Sequence, residues 1–159
     1  MDIAGKKAVV IGGTSGIGLE ASLLLVSKGA SVVAVSRDPK KAGAVPNGIR
    51  LESLDTRDGA AVEKFFNAEG DIDILVNSAT GGSRARGAFM EMDEKSFQGS
   101  FDKLWGYANV IRHGVPCLKE NGAIVLVSGS PARKPKPGQI ALSSVGGAVE
   151  AFAQGIAAE

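Results

Sequence analysis

Hydrophobic residues in this chain form short runs that are separated by longer amphipathic stretches. Five runs have the length of a strand: Lys7–Ile11, Ser31–Val35, Ile49–Leu54, Ile72–Val76 and Ala123–Val127. Four of them are almost continuously apolar, which is typical of parallel strands covered on both faces. The third run alternates apolar and polar residues, so we predict that it lies at an edge of the sheet.

The stretches between these runs have the spacing of helices. We predict helices over Gly16–Lys28, over Arg57–Glu69, over about Asp93 to Lys119 and over about Gln139 to Ala158, and a short one after Arg37. Asp38 would cap the short helix, Pro39 would begin it, and Pro116 should kink or shorten the longest one. The apolar stripe of the longest helix consists of Phe97, Phe101, Leu104, Trp105, Ala108, Ile111, Val115 and Leu118. Alternating strands and helices indicate an α/β fold of three layers, with a doubly wound parallel sheet of about five strands.

The segment after the first strand has the features of a phosphate-binding loop. Gly12, Gly16 and Gly18 follow the spacing Gly-x-x-x-Gly-x-Gly and join a strand to a helix. Gly12 permits a tight turn, Gly16 lets the backbone approach a pyrophosphate, and Gly18 lets the helix pack closely on the sheet. The first N–H groups of that helix would face the anion. We therefore predict a dinucleotide site here; the alternative is a tight turn without a ligand.

Composition narrows the class of protein further. The net charge is +1 in 159 residues, with no basic or acidic block, so we expect no nucleic-acid partner and no membrane partner. No apolar run approaches the roughly 18 residues of a membrane span, and the N-terminus does not resemble a signal peptide. The single cysteine, Cys117, excludes an intrachain disulfide and fits a reducing compartment, so we expect a cytoplasmic protein. We expect Cys117 to be a packed hydrophobic residue, and we expect no bound metal.

Polar or small residues end or follow each predicted strand. Ligands of open parallel sheets bind outside the carboxyl ends of the strands, where these residues meet. The residues are Gly12, Ser36, Asp55, Asn77 and Ser128. We predict that they belong to one site.

Several segments resemble the short-chain dehydrogenase/reductase family. The glycine motif of the family is matched by Ile11 to Gly18, and its Asn-Asn-Ala-Gly motif by Asn77-Ser78-Ala79-Thr80. Pro137-Gly138-Gln139 and Gly147 to Phe152 match the surroundings of its active-site helix. The resemblance implies a Rossmann fold, a single dinucleotide-binding domain over residues 1–159, and a contact between Asp55 and the adenine amine. The cofactor-binding residues that it implies are Gly12, Thr14, Ser15, Gly16, Ile17, Gly18, Ser36, Arg37, Asp55, Thr56, Asn77, Ser78 and Ala79.

The end of the second strand distinguishes between the two nicotinamide cofactors. An acidic residue there would bind the ribose 2′-hydroxyl of NAD, whereas this chain has Ser36 and Arg37. A hydroxyl and a guanidinium can hold a phosphate, so NADP(H) should be preferred over NAD(H). The alternative is that Arg37 is a solvated surface residue.

The catalytic residues of the family are not matched. In the family, a Tyr-x-x-x-Lys pair transfers the proton and holds the nicotinamide ribose. Alignment on Gly147 places Leu142 and Gly146 in these two positions, Gly129 in the position of the family serine and Lys103 in that of the family asparagine. The candidate substitutes are Lys103, Ser128 and Ser130. Lys103 is alternatively a solvated side chain, and Tyr107 is expected in packing or at a subunit interface.

Two functions remain open at this point. The first is an NADP(H)-dependent oxidoreductase of atypical or weakened mechanism, acting on a small carbonyl or alcohol substrate. The second is a non-catalytic NADP(H)-binding sensor or assembly protein. Family members are longer, so we expect either a fragment or a naturally short relative that lacks two strands and most of the substrate-covering segment. The resemblance also implies a homodimer or homotetramer.

Overall fold

The computed structural model describes residues 2–159, and its centre is a parallel sheet of five strands. The strands are β1 (Lys7–Ile11), β2 (Ser31–Ser36), β3 (Ile49–Ser53), β4 (Ile72–Asn77) and β5 (Leu118–Leu126). Their order is β3-β2-β1-β4-β5. The predicted α/β fold is confirmed, and the alternating third strand lies at an edge of the sheet as predicted.

Five α-helices surround the sheet: α1 (Gly16–Ser27), α2 (Gly59–Glu69), α3 (Glu94–Ser100), α4 (Asp102–Gly114) and α5 (Ile140–Ile156). One core contains alternate residues of the strands, such as Val9, Val33 and Leu75, together with apolar residues of α2, α4 and α5. The other core contains the remaining strand residues, such as Val10 and Ala34, with Leu25 and Val26 of α1. Because each central strand contributes to both cores, its sequence is apolar at almost every position.

The predicted long helix from Asp93 to Lys119 is wrong. It is two helices that meet at Phe101, whose N–H bonds to the Gln98 carbonyl at 3.0 Å in a tightened last turn. Pro116 has no N–H, and α4 gives way at Gly114 to a 3₁₀ turn over Val115–Cys117. The predicted stripe runs across this break, and only part of it coincides with the buried residues of α4.

The buried face of α4 therefore differs from the predicted one. Tyr107 and Val110 are almost fully buried, whereas Trp105 of the predicted stripe is 65% exposed. Tyr107 was expected either in packing or at a subunit interface, and the structure places it in packing. Cys117 is half-buried against the core, as expected for a packed hydrophobic residue.

Two further boundaries differ from the predictions. β5 begins at Leu118, which pairs with Ile72, and an irregularity precedes the regular pairing of Ala123 with Ile74. The short helix after Arg37 is a 3₁₀ turn over Pro39–Ala42, and the side chain of Asp38 makes no capping hydrogen bond. Neither difference changes which residues reach the carboxyl edge of the sheet.

Candidate functional site

A cleft of about 820 Å³ opens at the carboxyl ends of the strands. It lies where the strand order reverses between β1 and β4, which is where parallel sheets of this kind bind ligands. The cleft is lined by twelve of the predicted cofactor residues and by all three candidate catalytic residues, which are Gly12, Thr14, Ser15, Gly16, Ile17, Gly18, Ser36, Arg37, Asp55, Thr56, Ser78, Ala79, Lys103, Ser128 and Ser130. The remaining residue, Asn77, is completely buried beneath it.

The glycine loop has the geometry that its spacing predicts. A Cβ on Gly18 would lie 2.1 Å from the Gly12 carbonyl oxygen, so only glycine allows α1 to begin this close to the turn. Gly16 has φ +50°, and a Cβ there would meet no other atom within 4 Å. The backbone at Gly16 is therefore open to the cleft, whereas Gly18 is closed against the loop.

The beginning of α1 is suited to an anion. Ser15 is the N-cap, but its side chain does not bond to the first turn. The N–H groups of that turn consequently have no capping side chain, and the helix dipole adds positive potential at the same place. A phosphate group of a dinucleotide would satisfy these donors.

The end of the cleft beyond β2 carries two cations. The Thr14 hydroxyl donates to the Ser36 oxygen at 2.8 Å, which leaves the Ser36 proton available to a ligand. Arg37 is exposed and forms no ion pair within residues 2–159. Lys41, which the sequence analysis did not single out, also lines the cleft from the 3₁₀ turn and lies 3.9 Å from the Asp38 carboxylate. Its only signal in the sequence is its position four residues after Arg37.

Asp55 follows β3 and is held by Arg57. The Arg57 guanidinium donates to the carboxylate at 2.6 Å, and the backbone N–H of Arg57 donates at 3.0 Å. The side-chain bond from Arg57 is the main reason that the pKa of Asp55 falls to about 2. Asp55 is therefore an ionised acceptor at the wall of the cleft.

The segment after β4 joins the glycine loop to the rest of the sheet. The Ser78 hydroxyl donates to the Ile11 carbonyl at 3.0 Å, and a Cβ on Gly12 would lie 2.7 Å from the Ala79 nitrogen. The Asn77 carboxamide oxygen accepts from the Ala79 N–H at 3.3 Å. Its Nδ2 has no hydrogen-bond partner within the described residues. Asn77 thus supports the floor of the cleft instead of lining it.

Lys103 enters the cleft from the first turn of α4. Its Nζ donates to the Val127 carbonyl at 2.8 Å and lies 5.3 Å from the centre of the Tyr107 ring. The Tyr107 hydroxyl shares its one proton between the Asn77 carbonyl at 2.7 Å and the Val127 carbonyl at 3.0 Å. Burial, together with the nearby Arg84 charge, lowers the pKa of Lys103, and burial raises that of Tyr107. Lys103 is therefore held in the cleft by neutral groups and is not a freely solvated side chain.

Leu142 and Gly146 line the cleft one turn apart on α5. A Cβ on Gly146 would lie 2.9 Å from the Ala132 Cβ, so the 3₁₀ turn over Ser130–Ala132 fills the space beside this position. The Ser128 hydroxyl donates to the Gly146 carbonyl at 2.9 Å. Ser130 is exposed at the start of the same turn. The Ser128 hydroxyl proton is thus already used in a hydrogen bond to α5. Lys103, in contrast, brings an ammonium group into the cleft on the β4 side.

Comparison with known proteins agrees with the fold. Residues 6–159 match the short chain dehydrogenase family, and the chain belongs to this family of oxidoreductases. The chain is 28% identical to the L-xylulose reductase of Mesocricetus auratus, over 100% of its own length and 67% of that protein. It therefore spans about two thirds of this relative.

Two solved structures show the same architecture. A short chain dehydrogenase from Burkholderia cenocepacia in complex with NADP is 28% identical, with a TM-score of 0.85 over 98% of this chain and 66% of that one. The L-sorbose reductase from Gluconobacter frateurii, complexed with NADPH and L-sorbose, is 25% identical, with a TM-score of 0.82 over 99% of this chain and 66% of that one. The expected family and the Rossmann-type sheet are thus confirmed.

Two other features have no counterpart within residues 2–159. None of the helices there combines the length and apolar character of a membrane span. Within the same residues, no three histidine, cysteine, aspartate or glutamate side chains are grouped so that they could hold a metal ion.

Proposed function

We propose that this chain binds NADP(H) and supports the interconversion of a carbonyl and an alcohol, with Lys103 as the proton donor. The observation that carries the proposal is the ammonium of Lys103, held in the same cleft as the glycine loop by the Val127 carbonyl. A dinucleotide-binding loop and a positioned proton donor are the two parts that such a reaction needs.

The cleft residues fit the cofactor. The open backbone at Gly16 and the first turn of α1 would hold the pyrophosphate, and Asp55 would face the adenine. Ser36, Arg37 and Lys41 would hold a 2′-phosphate. Two of the similar structures contain NADP or NADPH, which supports the preference for the phosphorylated cofactor. When bound, the cofactor supplies the hydride.

Lys103 is suited to the proton transfer. One N–H of its ammonium is fixed by the Val127 carbonyl, and the remaining two are free to bind the substrate oxygen. As the carbonyl carbon receives the hydride, its oxygen takes a proton from Lys103, and the lysine regains a proton from water. The pKa of Lys103 is lowered and so lies closer to neutral pH than that of a free lysine. A general acid works best when its pKa is near the pH of the reaction.

Leu142 and Gly146 carry no proton-transfer group, so we expect turnover to be slow compared with relatives that have the tyrosine and lysine. Lys103→Gln should lower kcat/KM by roughly 10²- to 10⁴-fold, the usual contribution of a general acid, with NADPH affinity unchanged. The measurement is the oxidation of NADPH with a panel of aldehydes and ketones. Lys95→Gln, an exposed change of the same type on α3, is the matched control.

Two further measurements separate proton transfer from simple charge. Lys103→Arg keeps the positive charge but does not titrate in this range, so it should not restore the rate. The native rate of reduction should fall as the pH rises through the pKa of Lys103, with a midpoint below 10.5, because the deprotonated amine cannot donate. A rate that survives in Lys103→Gln would contradict the proposal.

One observation favours a second candidate, a non-catalytic NADP(H)-binding protein. Gly146, at the position of the family lysine, has no side chain, and a Cβ there would lie 2.9 Å from the Ala132 Cβ, so this position offers little room for one. Tight binding of NADPH without oxidation by any carbonyl of the panel would support this candidate over the first.

A further inference from the structure

The two loops that border the cleft on the β4–β5 side carry positive charge only. No aspartate or glutamate lies between residues 74 and 90 or between residues 121 and 149. The same segments contain five cations, which are Arg84, Arg86, Arg133, Lys134 and Lys136. Since the whole chain has a net charge of only +1, this concentration of charge is local.

Most of this charge has no partner in the protein. Arg133 pairs with Glu150 at 3.0 Å. The other four cations form no ion pair within residues 2–159. Lys103, half-buried in the cleft, is bonded only to a neutral carbonyl. The carboxylates of the cleft, Asp38 and Asp55, follow β2 and β3 on the other side of β1.

Arg84 is the loop cation that lines the cleft, and its loop is held in place on both sides. The Ser83 hydroxyl donates to the Ser96 carbonyl at 3.1 Å, and the Ala85 N–H donates to the Ser100 hydroxyl at 3.1 Å. A third bond, from the Gly87 N–H to the Gly138 carbonyl at 3.1 Å, ties this loop to the one before α5. Arg84 is therefore presented by an anchored segment.

Arg84 and Lys103 line the same cleft, and the loop that carries Arg84 packs on the start of α4, where a Cβ on Gly81 would lie 2.5 Å from the Lys103 Cα. The charge of Arg84 contributes to the lowered pKa of Lys103, in addition to burial. The Asp102 carboxylate lies behind this loop and pairs with Arg57 at 3.5 Å, and no carboxylate lines the cleft on that side. Two neighbouring cations in one cleft raise the energy of the unliganded protein. An anionic group between them would relieve the repulsion and gain charge-assisted hydrogen bonds from the guanidinium.

We propose that the carbonyl substrate carries an acidic group, a carboxylate or a phosphate ester, which Arg84 binds beside Lys103. The proposal rests on the proposed function and adds the class of substrate. Arg84 orients the acidic end of the substrate, so that the carbonyl oxygen lies next to the ammonium. The other loop cations attract the anion without contacting it.

The test compares charged and neutral carbonyl compounds of the same skeleton. Protein saturated with NADP⁺, which has no hydride to transfer, is titrated calorimetrically with pyruvate and pyruvamide, and with dihydroxyacetone phosphate and dihydroxyacetone. We expect each anion to bind about ten- to a hundred-fold more tightly than its neutral counterpart. The stronger of the two anions identifies carboxylate or phosphate as the preferred group.

Arg84→Gln should remove this preference, whereas Arg112→Gln, the same change on the exposed part of α4, should not. Equal affinities of the charged and neutral compounds, or no binding of either anion at millimolar concentration, would overturn the proposal. So would competition between the anions and NADPH, because Arg84 would then bind a phosphate of the cofactor.

The same titration of the protein without bound cofactor shows which of the two proposals fails. If NADPH does not bind but the anions retain their Arg84-dependent preference, the proposed function fails and the anion site stands. If NADPH binds and is oxidised by neutral ketones alone, the proposed function stands and the anion site fails.

Discussion

At the scale of single residues, we expect the end of β2 to set the cofactor preference. Arg37 is exposed without an ion pair in the described chain, and Lys41 lines the cleft four residues later. A charged hydrogen-bonded contact contributes on the order of 1.5–3 kcal/mol, which corresponds to roughly ten- to a hundred-fold in affinity. We therefore expect NADP(H) to bind at least several-fold more tightly than NAD(H), and Arg37→Ala to remove most of the difference.

Calorimetric titration of the native protein and the variant with both cofactors measures this preference. Lys41→Ala should have a smaller effect in the same direction, because its ammonium is shared with Asp38. Lys40→Ala is the control, since Lys40 lies in the same 3₁₀ turn outside the cleft. Equal affinities of the native protein for NADP(H) and NAD(H) would refute the prediction.

Asp73, a buried residue of β4, joins three strands near their amino ends. Its carboxylate accepts from the Lys7 N–H at 3.0 Å, from Lys6 at 3.3 Å and from Lys119 at 3.2 Å, and so connects β1, β4 and β5. The bond from the Lys7 backbone is the main reason that the pKa of Asp73 falls to about 2. The ionised form therefore stabilises the fold above the usual pKa of 3.8, and this contribution is lost as the pH falls through 2.

Asp73→Asn should consequently lower the denaturation midpoint by several degrees at pH 6, and the difference from the native protein should shrink between about pH 4 and pH 2. Urea or thermal unfolding at several pH values measures it, with Asp71→Asn, an exposed neighbour, as the control. NADPH binding should be retained, because Asp73 lies at the opposite end of the strands from the cleft. A difference that is constant down to pH 2 would show that the charge of Asp73 is not responsible.

At the scale of the whole molecule, apolar surface remains exposed on α4 and β5. Trp105 of α4 is 65% exposed, and Val125 of β5 is 49% exposed on a strand that has no neighbour on one side. Large exposed apolar residues and open strand edges favour association. We therefore expect a homodimer or a larger assembly in which α4 and α5 meet their counterparts.

Light scattering over a dilution series tests this expectation. Trp105→Glu should shift the assembly toward the monomer, whereas Glu20→Gln, an exposed polar change on α1 across the sheet from α4 and α5, should leave it unchanged. A well-folded native monomer at micromolar concentration would contradict the expectation.

The order and type of most elements could be predicted from local pattern. The five apolar runs became the five strands, and alternation in Ile49–Ser53 correctly indicated an edge. The division of one long helical stretch at Phe101 was not predicted, because its apolar spacing continues across the break. The loop after β4 packs directly on the start of α4 at this break, where a Cβ on Gly81 would lie 2.5 Å from the Lys103 Cα.

The sequence by itself determined the phosphate-binding loop and the charge at the end of β2, because these features depend on neighbouring residues and on the end of one strand. Only the tertiary structure decided the rest of the site. Lys103, Tyr107 and Val127 are brought together by the packing of α4 on β4 and β5, and Arg84 by hydrogen bonds between distant loops. Such contacts depend on the direction in which each helix crosses the sheet, and a one-dimensional pattern of apolar and polar residues does not contain that direction.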